Sequence, residues 1–346
     1  MRVLLVNDLA PGPGSGVEVH LARLADGLRA SGDDVALVAG EVVHTGLARA
    51  LDVWDPRARR LLARRAGAFR PDVVHHHHVV RELSAAVLGV PAGVPQVMTV
   101  HDFRLLGDAD AATGPVAALK RLKGRLDLAV ARRHVDVAIA VSPALADALR
   151  AAGFRRVEHL PPFAPDRGPG RPPSSCAGVA FAGRLAPDKG ADVLAAAWPR
   201  IREAVPGATL TVAGDGPLRA ELAALDGVRA LGLVADAAAV LAEARVVVVP
   251  SVPSRRREGT PTVAIEAALA GRPLVVSDDP GLAAFPARIV EAGDAAALAA
   301  AVVDLLRNDD EADRLGAAAR AHALDHHTTE AVVAQVRRLY DEVVRR

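Results

Sequence analysis

Residues 160–175 read LPPFAPDRGPGRPPSS. Six prolines with no hydrophobic period are the composition of an interdomain linker, not of a helix or strand. The same alternation runs on either side. Before the stretch, short β-branched runs are each followed by an Ala/Leu-rich amphipathic segment: RVLLVN then Val17 to Ala30, DVALVA then Asp55 to Phe69, PDVVHH then Glu82 to Leu88. QVMTVH with a helix through Leu119 to Arg133, and DVAIAVS with Pro143 to Ala152, complete this half. After the stretch the pattern restarts at GVAFAG and continues through TLTVAG, GVRALG, RVVVVPS and RPLVVSD. Strand then helix, repeated, predicts a parallel sheet with helices on both faces, and two such runs predict two Rossmann-like halves facing each other across a cleft. Beyond ARIVEAGD the chain reads as helical, with periodic apolar positions at Leu298, Val302, Leu305 and Leu306.

Composition narrows the function. With 346 residues, 51% hydrophobic and 24% charged, the chain is long enough for two cores and is not of disordered type. No apolar run approaches the ~18 residues that span a bilayer, and the apolar start before Asn7 and Asp8 is too short for a signal peptide, so a cytoplasmic protein is expected. The single cysteine, Cys176, excludes an intrachain disulfide and offers no zinc or redox motif. Residues 1–160 carry a net +4 and the remainder −3, too even a balance for a nucleic-acid binder.

The segment PSRRREGTPTVAIEAALAGRPLVVSD, residues 253–278, carries the most chemistry. Thr260 reads as an N-cap and Pro261 as the first helical residue, which puts Glu266 inside the helix and Glu258 in the loop before it. The free first-turn amides of Thr262 and Val263 suit phosphate oxygens. A ribose on Glu266, a diphosphate at the helix start and a reacting group near Glu258 describe a nucleotide-sugar site. Upstream, FAGRLAPDKG sets Arg184 and Lys189 on one loop between Gly183 and Gly190, two cations suited to a leaving diphosphate without a metal. Gly214, Gly216, Leu233 and Val234 close two further strands and could border a base.

Four consecutive histidines, His75 to His78, end a predicted strand. Alternation puts His75 and His77 on one face and His76 and His78 on the other, so the four cannot converge on one ion. Metal ligation by a pair, lining of a cleft and a merely structural role all stay open. PGPGSG is not a dinucleotide fingerprint.

In this order and spacing, FAGRLAPDKG, VAGDGP, LGLV and the Glu258-x7-Glu266 pair resemble the C-terminal half of family-4 retaining glycosyltransferases of GT-B fold. PGSGVEVHLARLADGLRASGDDV, PDVVHHH, TVHDF and AVSPALADALRAAG resemble its N-terminal half. The resemblance covers nearly the whole chain. It implies an acceptor-binding domain over 1–160, a linker over 161–175, a nucleotide-sugar domain over 176–326, and a C-terminal helix over 327–346 returning to the first domain. It implies that Arg184, Lys189, Thr262 and Val263 hold the diphosphate with Gly16 opposite, that Glu266 holds the ribose, and that Glu258, Gly259 and Thr260 meet the donor sugar. His101 and Glu258 become the catalytic pair, Gly183, Gly214, Leu233 and Val234 the base pocket, and Glu18, His75, His77 and Asp102 the acceptor side.

The implied reaction moves a hexose-type sugar from a nucleoside diphosphate to an acceptor, with no metal and no further cofactor. A GT-B relative of other chemistry, such as an epimerase or phosphorylase, and a non-catalytic sugar-nucleotide binder are the alternatives. The chain departs from the family at HLPPFAP, where an Asn-Gly turn is usual, and at DDPGLAAF, where Gly-Gly and Glu are usual. Arg255, Arg256 and Arg257 suit either an anionic substrate or a solvated loop. Lys120, Arg121, Lys123, Arg125, Arg132 and Arg133 flank the apolar period Val116, Leu119, Leu122, Leu126 and Val130. That pattern predicts a core helix with a charged outer face, the second reading being a weak peripheral contact of residues 116–133 with anionic lipid at the inner membrane face.

Overall fold

The computed structural model describes residues 1–9, 16–40, 54–79, 83–106, 115–254 and 260–346, the side chains of 115–120 excepted. They divide into two compact units, Met1–Pro161 with Thr329–Arg346, and Pro162–Thr328.

Unit 1 is built on strands β1 (Arg2–Asn7), β2 (Asp34–Ala39), β3 (Val73–His76), β4 (Gln96–Val100), β5 (Val137–Ala140) and β6 (Val157–His159). All pair in parallel, in the order β2-β1-β3-β4-β5-β6. Helices α1 (Gly16–Ala30), α2 (Pro56–Phe69), α3 (Pro115–His134) and α4 (Pro143–Ala151) connect them. The near-continuous apolar run of β1 fits a strand covered on both faces, and Val3 to Val6 are all buried. Helix starts follow the capping rules. Ser142 accepts from the Leu145 amide at 3.3 Å with Pro143 at the first helical position, and Asp55 accepts from Arg57 N at 2.7 Å ahead of Pro56.

The C-terminal helix, Thr329–Val344, buries Val332, Val333, Val336, Leu339, Tyr340 and Val343 at helical spacing. It packs on α1 so closely that a Cβ on Gly27 would lie 2.7 Å from Val333 Cγ2. Asp33, almost fully buried, pairs with Arg337 at 2.8 Å and with the terminal amine of Met1 at 3.1 Å.

Unit 2 repeats the plan with β7 (Val179–Ala182), β8 (Leu210–Ala213), β9 (Val228–Gly232), β10 (Val246–Val249), β11 (Leu274–Ser277) and β12 (Arg288–Val290). They are again all parallel, in the order β12-β11-β10-β7-β8-β9. Its helices are α5 (Ala191–Ala204), α6 (Arg219–Ala223), α7 (Ala237–Ala242), α8 (Thr262–Leu269), α9 (Ala295–Arg307) and α10 (Asp309–His326). Trp198 of α5 anchors one core layer and donates its indole N–H to Asp226 O at 2.8 Å.

Several expectations need correction. Within residues 82–88 the described part is not a regular helix but a short 3-10 turn over Ala85–Val87, because Ser84 takes a left-handed φ of 58° and caps the turn with its hydroxyl. Helix α8 starts at Thr262, with Pro261 as its cap; Pro261 has an extended ψ of 126°, so neither it nor Thr260 is helical. The α3 stripe is not uniformly core-facing: Leu122 and Leu126 are 54% and 44% exposed, while Asp127, bridged to Lys123 at 2.6 Å, and Ala131 turn inward. Residues 162–175 are fastened to unit 2, Asp166 by two hydrogen bonds to Arg320 at 2.9 and 3.0 Å and Arg171 to Glu243 at 3.0 Å. Strands β6 and β12 show no sequence signal, being three residues each and partly exposed.

Candidate functional site

In unit 2, β7 continues to β8 on one side, while the chain later returns to lay β10 on the other side of β7. The loops after β7 and β10 therefore leave the sheet at its topological switch point, where open parallel sheets bind ligands. Arg184 and Lys189 lie on the first loop, and Thr260 to Glu266 follow the second. The loops touch. Val252 N donates to Asp188 O at 3.0 Å, and Gly190 packs on the Pro250 carbonyl so tightly that a Cβ would lie 1.8 Å from that oxygen. With φ of +69°, Gly190 is obligatory twice over.

Arg184 is half exposed and donates to Asp188 Oδ2 at 2.5 Å, so an arriving anion competes with a carboxylate for the guanidinium. Among the described residues no side chain caps helix α8, and the Thr262 and Val263 amides belong to its N-terminal, positive end. Glu266 is half-buried one turn further and engaged within the protein. Beside them, Gly183 N donates to Ala213 O at 2.9 Å and Gly214 N to Gly232 O at 2.7 Å. A Cβ on Gly214 would stand 1.9 Å from Gly183 O, so two backbones run in direct contact. Leu233 is 78% exposed at the end of β9, an apolar face available to a flat ring, and Val234 is half-buried behind it. Glu258 and Gly259, with Arg255 to Arg257, lie outside the described residues.

The switch point of unit 1 falls between β1 and β3. Asn7 and Asp8, both buried at the end of β1, pin the loop after β3: Asn7 Oδ1 accepts from His78 N at 3.0 Å, and Asp8 Oδ1 from Leu83 N at 2.9 Å. His77 and His78 are thereby held just past β3, and His101 just past β4. His77 Nδ1 lies 3.0 Å from His101 Nε2, and the two rings stack with centroids 5.3 Å apart. His20 on the second turn of α1 meets both rings edge-on, at 5.6 Å to His77 and 4.9 Å to His101. Burial holds His77 and His101 well below the ordinary imidazole value, and the neighbouring histidines push the same way. His20 is lowered to about 4 by burial and then by Arg23, so all three rings are neutral at pH 7.

The faces alternate as the strand period requires. His75 stacks on His77 at 4.5 Å, while His76 turns to the opposite side and meets Gln96 Oε1 at 2.7 Å. His75, however, is fully buried: its nitrogens lie 2.5 Å from Tyr340 Oη and 2.7 Å from Thr99 Oγ1. It supports the ring above it and does not line a surface. His77 is also fully buried, and Glu18 nearly so with its carboxylate engaged within the protein. Of the residues expected on the acceptor side, Asp102 is the reachable one; it also accepts from Arg104 N at 3.0 Å and lies 3.9 Å from His78 Nε2. Gly16 is exposed at the start of α1. Sequence reasoning missed His20 and Tyr340. A lone histidine at a helix start and a tyrosine in the last helix carry no local pattern, and only the fold brings them to residues 75–101.

Residues 14–165 match the family profile described as Glycosyltransferase Family 4, and residues 177–308 the one described as Glycosyl transferases group 1. The glycogen synthase of Mycobacterium tuberculosis is 31% identical over 300 residues, 78% of this chain and 69% of that protein. A phosphatidyl-myo-inositol mannosyltransferase of Mycobacterium leprae is 37% identical over 180 residues, 48% of this chain and 46% of its own length, so the chain matches about half of that relative. Among solved structures, sucrose-phosphate synthase from Thermosynechococcus elongatus aligns with a TM-score of 0.76 at 20% identity over 99% of both chains. Anabaena HepE in complex with UDP-glucose aligns at 0.73 and 18% identity, over 99% of this chain and 100% of the other.

Proposed function

Because the chain belongs to the family-4 glycosyltransferases, we propose that it is a retaining, metal-independent enzyme that transfers a hexose-type sugar from a nucleoside-diphosphate sugar to an acceptor. The observation that carries this reading is the union of the Arg184–Lys189 loop with the segment that leaves β10 toward the start of α8, at the switch point of unit 2. The diphosphate takes the Arg184 guanidinium from Asp188 and sets its oxygens on the Thr262 and Val263 amides. As the bond from the anomeric carbon to the phosphate oxygen breaks, the charge growing on the diphosphate is met by two cations and a helix dipole already in place. Glu266 holds the ribose diol, and the base lies by Gly183, Gly214, Leu233 and Val234. Glu258, Gly259 and Thr260 face the sugar.

This reading keeps His101, neutral and braced by His77, as the second catalytic residue with Glu258. The acceptor oxygen bonds to the anomeric carbon on the face the phosphate leaves, and its proton passes to the departing phosphate oxygen. No protein nucleophile is required and the configuration is kept. UDP-glucose in Anabaena HepE and UDP in a second HepE structure favour this donor class. Among the described residues no helix is long and apolar enough to cross a membrane, and a cytoplasmic placement belongs to the same proposal.

Thermal denaturation with a panel of nucleoside diphosphates, with and without EDTA, tests it. One diphosphate at a hundredfold excess over its Kd should stabilise the chain by about 2.7 kcal/mol, survive EDTA, and lose its effect in Arg184→Ala. Stabilisation by none, or only with a divalent ion, would refute the donor site. Once a donor is identified, NMR of the product linkage tests retention, and an inverted anomer would overturn that part alone.

A further inference from the structure

We propose that His20, His77 and His101 form a binding site for a transition-metal dication of the zinc class, an ion that would engage the His101 ring the proposed transfer uses. One ring nitrogen of each lies within 4.8 Å of one from each of the other two. His77 Nδ1 and His101 Nε2 lie 3.0 Å apart, a contact that holds the two rings together at the site. A second observation points the same way. His77 is fully buried, and its Nε2 has no hydrogen-bond partner among the described residues, a cost that a protein interior seldom bears without an ion or water.

A neutral imidazole carries one N–H and one lone pair. With Nδ1 joined to His101, the second nitrogen of His77 goes unused in either tautomer, whereas an ion held through Nε2 takes up that lone pair and leaves the Nδ1 contact in place. Three imidazoles suit zinc, copper or nickel over magnesium or calcium, which take oxygen ligands. Three protein ligands also leave one position of a tetrahedral ion open. The three residues come from separate elements, α1 and the ends of β3 and β4, all fixed by the unit 1 sheet, so the ligands stand close together before any ion arrives. Bringing ring nitrogens that lie within 4.8 Å of one another to bonding geometry takes side-chain rotation, and His20 is half-buried on a helix. The positive charge of Arg23 reaches His20 and opposes a dication, which keeps this site weaker than a structural zinc centre.

The test reads binding and needs no substrate. The full chain is titrated with Zn²⁺ against a chromophoric chelator at neutral pH, and separately with Co²⁺ while its visible spectrum is recorded. One equivalent of Zn²⁺ is expected, with the intense visible bands of four-coordinate Co²⁺. His20→Asn should weaken binding by at least about tenfold with its unfolding transition unchanged. A His322→Asn/His326→Asn variant, which removes the stacked helical pair in unit 2, should bind as the parent does. Absence of a stoichiometric ion, weak six-coordinate Co²⁺ bands, or equal affinity in His20→Asn would overturn the site, as would loss of binding in the unit 2 variant. If His20→Asn unfolds, the Co²⁺ spectrum of the parent chain still decides. Failure of the nucleotide experiment would leave these results unaffected.

Discussion

Replacing Tyr340 with Phe removes one oxygen and little else. The ring stays in its buried slot on the C-terminal helix, and its edge-on packing against His75, with centroids at 5.7 Å, is kept. What is lost is the 2.5 Å bond to His75 Nδ1 in a place with no water access, since both residues are fully buried. Leaving a buried polar group unpartnered costs about 2 kcal/mol. Because the phenol belongs to Thr329–Val344 and the imidazole to β3, the loss falls on the docking of that helix. In hydrogen exchange followed by mass spectrometry, amides of residues 329–344 should exchange about 30-fold faster, the factor that corresponds to about 2 kcal/mol. Those of α5 in unit 2 should not change. Thr99→Val, which removes the partner of the other ring nitrogen at 2.7 Å, should give a similar loss felt mainly in β4. Exchange within about twofold of the parent in the C-terminal helix, or equal acceleration in α5, would refute the claim that this bond fastens the helix to the histidine row.

Gly214→Ala should cost about 3 kcal/mol or more, measured by Trp198 fluorescence in urea, because φ is +140° and the new Cβ would stand 1.9 Å from Gly183 O. Gly67→Ala, on an exposed turn of α2 with open space around it, should instead stabilise by up to ~1 kcal/mol. Acid should weaken unit 2: burial and then His326 hold His322 below its ordinary value against the pull of Asp325, so the unfolded chain binds that proton more readily. Stability is then full above the ordinary imidazole value and falls as the pH drops below it; His322→Gln should flatten the urea-midpoint slope between pH 7 and 5, and equal slopes would exclude His322 as its source. Leu122→Ser/Leu126→Ser should reduce cosedimentation with anionic vesicles if the exposed α3 stripe meets lipid, and an unchanged pellet would remove that contact.

The alternation of β-branched runs and amphipathic segments was enough to read both parallel sheets, because strands buried on both faces must be apolar throughout. β10, Val246–Val249, is four valines. Glycine and charge patterns at strand ends marked the Arg184–Lys189 loop and the α8 start, which the fold brings to one switch point, because backbone crowding there demands glycine. The row of histidines was legible only in part. Period two correctly separated His75 and His77 from His76, yet depth is a tertiary quantity: the last helix covers His75, and no local pattern tells a lining imidazole from one sealed beneath it. His20 joined the group through the packing of α1 on the sheet, 57 residues from His77 in the chain. Pro261 was misread by one position because proline serves equally as a cap and as a first helical residue, the choice resting on ψ.

Unit 1 is discontinuous: its last helix follows the whole of unit 2 in the chain. During synthesis, then, the ribosome delivers the twelve strands of the described residues before the segment that covers His75, and the nascent first unit carries an uncovered histidine row and an apolar α1 flank for as long as residues 162–328 take to emerge. At ~5–20 residues per second that wait is about 8 to 33 seconds, long against most folding steps. The second unit, continuous in sequence, can finish first. A chaperone that recognises exposed apolar helix faces would therefore meet this chain at α1, and would be released by the arrival of Val332, Val336 and Tyr340.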